Sequence, residues 1–271
     1  MSGVRELQPT KMKTLRNQVS ARSGLTLIEL VVVLAVLVAL AGLIIGNFPG
    51  IIRKASRSSS ATSVQDVSRA VQYMYTTTLK YPTGFDSLLG VDGALFAKLP
   101  SGPAGPVGGQ LTVGPLAGND ANALLAIGVT TTLSHATNAN STDVTWTSTV
   151  PGQTNFSFSG GSGSGVFISS TNAFAVFKSD TNNAASKKWV IFGVGAGSSM
   201  VGPGGAMLEA PVHYGADASQ NPKDFYQRYA VCFELDSTGS TTIARYIGAA
   251  AIEGDGLTAT DTNVKEYWKT N

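Results

Sequence analysis

A single cysteine, Cys232, in 271 residues excludes any intramolecular disulfide framework. Only two histidines are present, His135 and His213, far apart in the chain, so a tetrahedral zinc site lacks ligands. Charged side chains make up 13% of the sequence, too sparse and too balanced for a nucleic-acid surface. The net charge of +2 is also unevenly spread. Residues 1–24 carry Arg5, Lys11, Lys13, Arg16 and Arg22 against Glu6 alone, a net of +4, which leaves −2 for the remainder. No nucleic-acid partner is expected. Neither a G-x-S-x-G elbow nor an H-E-x-x-H pair occurs, and His213, Asp217 and scattered serines form no spaced catalytic set. No catalytic residue, and no enzyme activity, is expected. What is abundant is glycine, serine, threonine and asparagine, a mix suited to a secreted β-rich domain rather than a helical enzyme. Within the run AVCFEL, Cys232 reads as a small buried hydrophobe.

One long apolar run stands out. Residues 23–46 read SGLTLIELVVVLAVLVALAGLIIG, and from Leu30 to Ile45 no side chain is charged or strongly polar. Counted from Leu25, the run reaches the roughly 20 residues that a bilayer-crossing helix needs. The basic leader belongs on the cytoplasmic side. The expectation is therefore a single-pass protein of the inner membrane, in contact with its lipid, with the globular part in the periplasm. Glu29 is the anomaly, because a lone acid in an apolar layer is costly. Its presence makes sense if a cation meets it there. The run holds no lysine or arginine, but cleavage after Gly24 would create the free amine of Leu25.

The segment GLTLIEL, residues 24–30, resembles the cleavage and methylation motif of type IV prepilins and type II secretion pseudopilins. The resemblance rests on Gly24 before the cut, Leu25 as first mature residue, Thr26, and Glu29 as fifth; the family more often begins with phenylalanine. It implies a prepilin peptidase that cuts between Gly24 and Leu25 and N-methylates Leu25. It implies assembly through the N-terminal helix into a helical filament of pilin or pseudopilin subunits, driven indirectly by an assembly ATPase and its platform. Glu29 of one subunit would pair with the Leu25 ammonium of a neighbour. A plain signal anchor, or a signal peptide cut near Ala39-Leu40-Ala41, explains the leader and the run but leaves Glu29 unexplained.

From Ile51 to Leu79 apolar residues recur at Val64, Val67, Val71 and Met74, the spacing of an amphipathic helix. Tyr81-Pro82-Thr83 followed by Leu88-Leu89 resembles the segment after the long helix in G-type pseudopilins, where a turn leads into a short helix; Asp86 is placed to cap it. Residues 100–118 are rich in proline and glycine and read as irregular, and GVTTTLSHATNANS reads as loop. Strands are expected in DVTWTST, TNFSFS, GVFISS, AFAVFK and KWVIFGV. The stretch RYAVCFELDSTGSTTIARYIGA reads as a hairpin with its tip at Asp236–Gly239, and the tail as a short helix. Glu253, Asp255, Asp261 and Asn263 make an oxygen-rich stretch without EF-hand spacing. G-type pseudopilins carry calcium in a comparable region, so calcium is the one cofactor to consider.

The expected fold is α+β and pilin-like: a long N-terminal α-helix, its first half embedded in the membrane, packed on a C-terminal antiparallel sheet. The expected organisation is a leader at 1–24, an apolar transmembrane or filament-core helix at 25–48, its amphipathic continuation at 49–80 and a β-rich globular part at 81–271. The expected function is a structural subunit of a type II secretion-like pseudopilus. A type IV pilus subunit is the alternative within the class, and a membrane-anchored periplasmic binding or hydrolytic domain the alternative outside it.

Overall fold

The computed structural model describes residues 26–90, 92–116, 118–135, 154–157, 163–213 and 225–269. The chain divides into two compact units, 1–48 and 49–271. Helix α1 is assigned over Leu27–Thr78. In the first unit its described side chains, from Leu27 to Leu40, are apolar and exposed apart from Glu29.

The second unit is α+β. Among the described residues its main sheet has nine strands: β1 (Phe85–Gly90), β4 (Leu111–Leu116), β5 (Thr131–His135), β6 (Thr154–Ser157), β7 (Gly163–Ile168), β8 (Lys187–Gly193), β9 (Tyr229–Asp236), β10 (Ile243–Glu253) and β11 (Gly256–Thr258). A small hairpin, β2 (Ser101–Gly102) and β3 (Gly105–Pro106), lies outside it. The sheet runs β11-β10-β9-β8-β1-β5-β6, with β7 also on β8 and β4 beyond β7. Every pairing is antiparallel except β1 with β5. The described residues also form three shorter α-helices: α2 (Gly118–Ala126), α3 (Ser170–Phe177) and α4 (Thr260–Lys269).

Strand alternation sorts the core into two layers, because successive side chains point to opposite faces. On one face Val190, Phe192, Val231, Phe233 and Leu235 meet Val64, Val67 and Val71 of α1 and Leu124 of α2. On the other, Trp189, Ile191, Ala230, Cys232, Ala250 and Ile252 meet Ala173 and Val176 of α3, with Phe96, Leu99 and Val107. Strand β9 is therefore covered on both sides. Polar ties fix α1 on the sheet: Arg57 Nη1 lies 3.1 Å from Glu253 Oε2, and the Tyr246 hydroxyl lies 3.0 Å from Ser68 Oγ.

This architecture corrects the pilin-like expectation. Among the described residues no helix is long and apolar enough to cross a membrane. A membrane-embedded first half, and with it a single-pass inner-membrane location, is therefore not supported. The sheet is also larger than a simple antiparallel meander, with a parallel β1–β5 pairing next to the edge strand β6.

Local expectations change as well. AFAVFK lies in α3, not a strand: Ser169 caps the helix by accepting from the Asn172 N–H at 3.2 Å, and Ala173 and Val176 bury at helical spacing. Short apolar runs do not by themselves separate the two structures. FDSLLG forms β1 rather than a short helix, buried at every position as expected of a strand covered on both faces. TTLSH, read as loop for its polarity, is β5, enclosed between β1 and β6. LTVGPL, within the stretch read as irregular, is β4 on β7. The expected strand DVTWTST lies outside the described residues.

Candidate functional site

Of the three residues assigned to processing and assembly, Gly24 and Leu25 lie outside the described residues and Glu29 lies within them. Thr26 and Glu29 form a reciprocal cap at the start of α1. The Glu29 carboxylate accepts from the Thr26 N–H at 2.8 Å and from the Thr26 hydroxyl at 2.9 Å, while the Glu29 N–H donates to Thr26 Oγ1 at 3.3 Å. This is the capping-box arrangement, in which an N-cap threonine and an acid three residues on satisfy each other's open groups. These bonds, the backbone one foremost, hold the exposed Glu29 carboxyl below its ordinary range. The spacing T-x-x-E is present in the sequence and signals this cap, a role for Glu29 besides that of an ion-pair partner. After Glu29 the described helix presents only apolar or glycine positions as far as Gly42. Those large apolar side chains stand open, from 62% exposed at Val38 to 50% at Leu40.

The oxygen-rich stretch is not gathered into a cation site. Glu253 is buried and paired with Arg57. Asp261 faces Lys178 at 3.4 Å and Lys265 at 3.7 Å. Asp255 is exposed in the turn between β10 and β11, and the side chain of Asn263 lies outside the described ones. Among the described residues no three of His, Cys, Asp and Glu are grouped to hold a metal ion.

Two buried polar clusters were not anticipated. Asp86 on β1 and His135 on β5 are both essentially sealed from solvent, with His135 Nε2 at 2.9 and 2.8 Å from the two carboxylate oxygens. The Phe96 ring stacks on the imidazole with 3.8 Å between centroids. Burial pushes the Asp86 carboxyl up, but His135 and the Leu88 N–H, which donates at 2.9 Å, outweigh it and hold it below the usual range. Burial and the Asp86 charge push the nearby Tyr226 phenol well up. The pair ties the parallel β1–β5 junction, and its enclosure leaves a substrate no approach. His213, the other histidine weighed for catalysis, is buried with Nε2 2.9 Å from the Ile252 carbonyl oxygen. Asp217 lies outside the described residues.

The second cluster centres on Glu234 of β9. Its carboxylate accepts from Ser179 Oγ at 2.7 Å, from Trp189 Nε1 at 3.3 Å and from Arg245 Nη2 at 2.6 Å. Lys187 Nζ stands 3.6 Å away. A buried carboxylate so fully satisfied is a structural hub. Neither cluster had a local signature, since each joins residues more than 40 positions apart.

No known family model, curated protein or solved structure matches this chain.

Proposed function

We propose that this protein is a structural subunit of a type II secretion-like pseudopilus, cut by a prepilin peptidase between Gly24 and Leu25 and assembled through its apolar first helix. Its partners are the peptidase, further copies or related subunits in a helical filament, and indirectly the ATPase and platform that drive assembly. The observation that supports the reading is the start of α1: one capped acid, Glu29, followed by a run of described apolar side chains that stand exposed. Burying each such Leu or Val is worth roughly 1.5–3 kcal/mol. A core formed by neighbouring helices offers that cover. A neighbour's Leu25 ammonium gives Glu29 a partner in such a core and penalises misregistered subunits.

Intact-mass measurement of protein purified from cells tests the first step. The expected mature chain begins at Leu25 with a methylated amine. Gly24→Val introduces a branched side chain beside the scissile bond and is expected to leave the full precursor uncut. A mature chain starting at Gly42 would instead make 1–41 an ordinary signal peptide and end the filament reading.

A further inference from the structure

The second unit carries two very exposed large apolar side chains, Leu208 at 82% and Leu79 at 78%, more open than any other large apolar side chain described there. Each is followed directly by an exposed charge, and the signs are opposite: Lys80 after Leu79, Glu209 after Leu208. Among the described residues neither Lys80 nor Glu209 forms an ion pair. Leu79 is disfavoured on a second count. It closes α1 with its N–H on the Tyr75 carbonyl at 2.8 Å and sits at φ 55°, the left-handed position where helices normally place glycine. A branched side chain is strained there. The stacked rings of Tyr75 and Tyr81, 4.4 Å between centroids, flank it in sequence. Folding of the single chain gains nothing from a strained, open leucine.

We propose that Leu79–Lys80 of one copy docks against Leu208–Glu209 of a second copy of this chain, forming a lateral contact between globular units. The inference rests on the filament reading and specifies which surfaces meet. Apolar contact supplies the anchor, and the Lys80–Glu209 pair fixes the register, since charges at an interface rim act mainly through orientation and choice of partner.

The test uses the full chain in cells that build filaments. Leu79→Cys and Leu208→Cys are expressed together and mildly oxidised; the expected product is a disulfide-linked dimer that neither variant gives alone. Lys80→Glu and Glu209→Lys are each expected to reduce filament recovery about fivefold or more, and the combined reversal to restore it to within about twofold of wild type. Leu79→Gly relieves the backbone and is expected to raise Tm by about 2 °C or more while weakening assembly. Intact wild-type filaments, with no mixed disulfide and no rescue by the double reversal, would overturn this contact and leave the filament reading standing. A higher Tm with unchanged assembly in Leu79→Gly would overturn it equally. A wild-type chain that is never cut at Leu25 and never multimerises removes both.

Discussion

Replacing Glu29 by alanine is expected to lower the recovery of sheared filaments about a hundredfold, the scale set by leaving a buried ammonium without its counter-ion. Cleavage at Leu25 and folding of residues 49–271 should be unchanged, because the second unit has its own core. The cap at Thr26 complicates the comparison, since alanine removes both the charge and the acceptor that closes the helix start. Glu29→Gln separates the two roles. Glutamine keeps an oxygen that can accept from the Thr26 N–H, as in the S/T-x-x-E/Q variants of the motif, but it carries no charge. If pairing with a neighbouring amine drives registration, Ala and Gln fail alike. If capping alone matters, Gln assembles as wild type does and Thr26→Ala fails with Glu29→Ala. Parallel blots of precursor and mature forms show whether any loss lies in assembly rather than in processing. Wild-type filament levels in both Glu29 variants would remove the acid from the mechanism altogether.

The buried Asp86–His135 pair carries the largest expected effect on stability. His135→Leu leaves a carboxylate enclosed without its partner, which costs roughly 3–5 kcal/mol. Asp86→Leu combined with His135→Leu should be less destabilised than the sum of the single changes, because the second substitution removes the group the first one strands. Chemical denaturation of the three variants measures this coupling. The pH dependence has a definite sign. The Asp86 carboxyl is depressed in the folded state. Its stabilisation is therefore fully present above the unfolded-state value, about 3.9, and is lost as pH falls through the folded value. Wild-type Tm should fall on acidification below about pH 4, with a shallower slope in the double variant. Equal slopes would place the acid sensitivity elsewhere.

The parts of this fold legible in the sequence are those whose signal is local. Val64, Val67 and Val71 repeat at helical spacing and bury against the sheet. Val231, Phe233 and Leu235 alternate and share one face of β9, and the hairpin to β10 pairs Asp236 with Ile243 around the turn-rich tip. Less legible were elements whose identity depends on distant partners. TTLSH becomes a strand because β1 and β6 flank it, and its histidine is buried because Asp86 sits opposite. Asp86 itself looked like a helix cap and is a buried partner instead. The apolar run at the N-terminus was read by length and composition as a membrane span, and among the described residues no helix is long and apolar enough to be one. At the candidate site the motif identified Glu29. The cap that holds its carboxylate follows from a T-x-x-E spacing visible in the same seven residues.

The placement of the lone cysteine gives the protein a native timekeeper. The Cys232 thiol is buried on the α3 face of β9, and burial together with the Glu234 charge raises it well above its ordinary value. A thiol reagent reacts with the thiolate, so the folded chain presents almost nothing to attack. Labelling must wait until the central strand is released from its neighbours. Its rate then reports how often the sheet opens, either as an opening equilibrium or as an opening rate according to how fast the reagent acts. Because no second sulfhydryl competes, mass spectrometry can follow that event on the unmodified protein, free or assembled. The ratio of the two labelling rates would measure how far incorporation into a larger assembly holds the sheet shut.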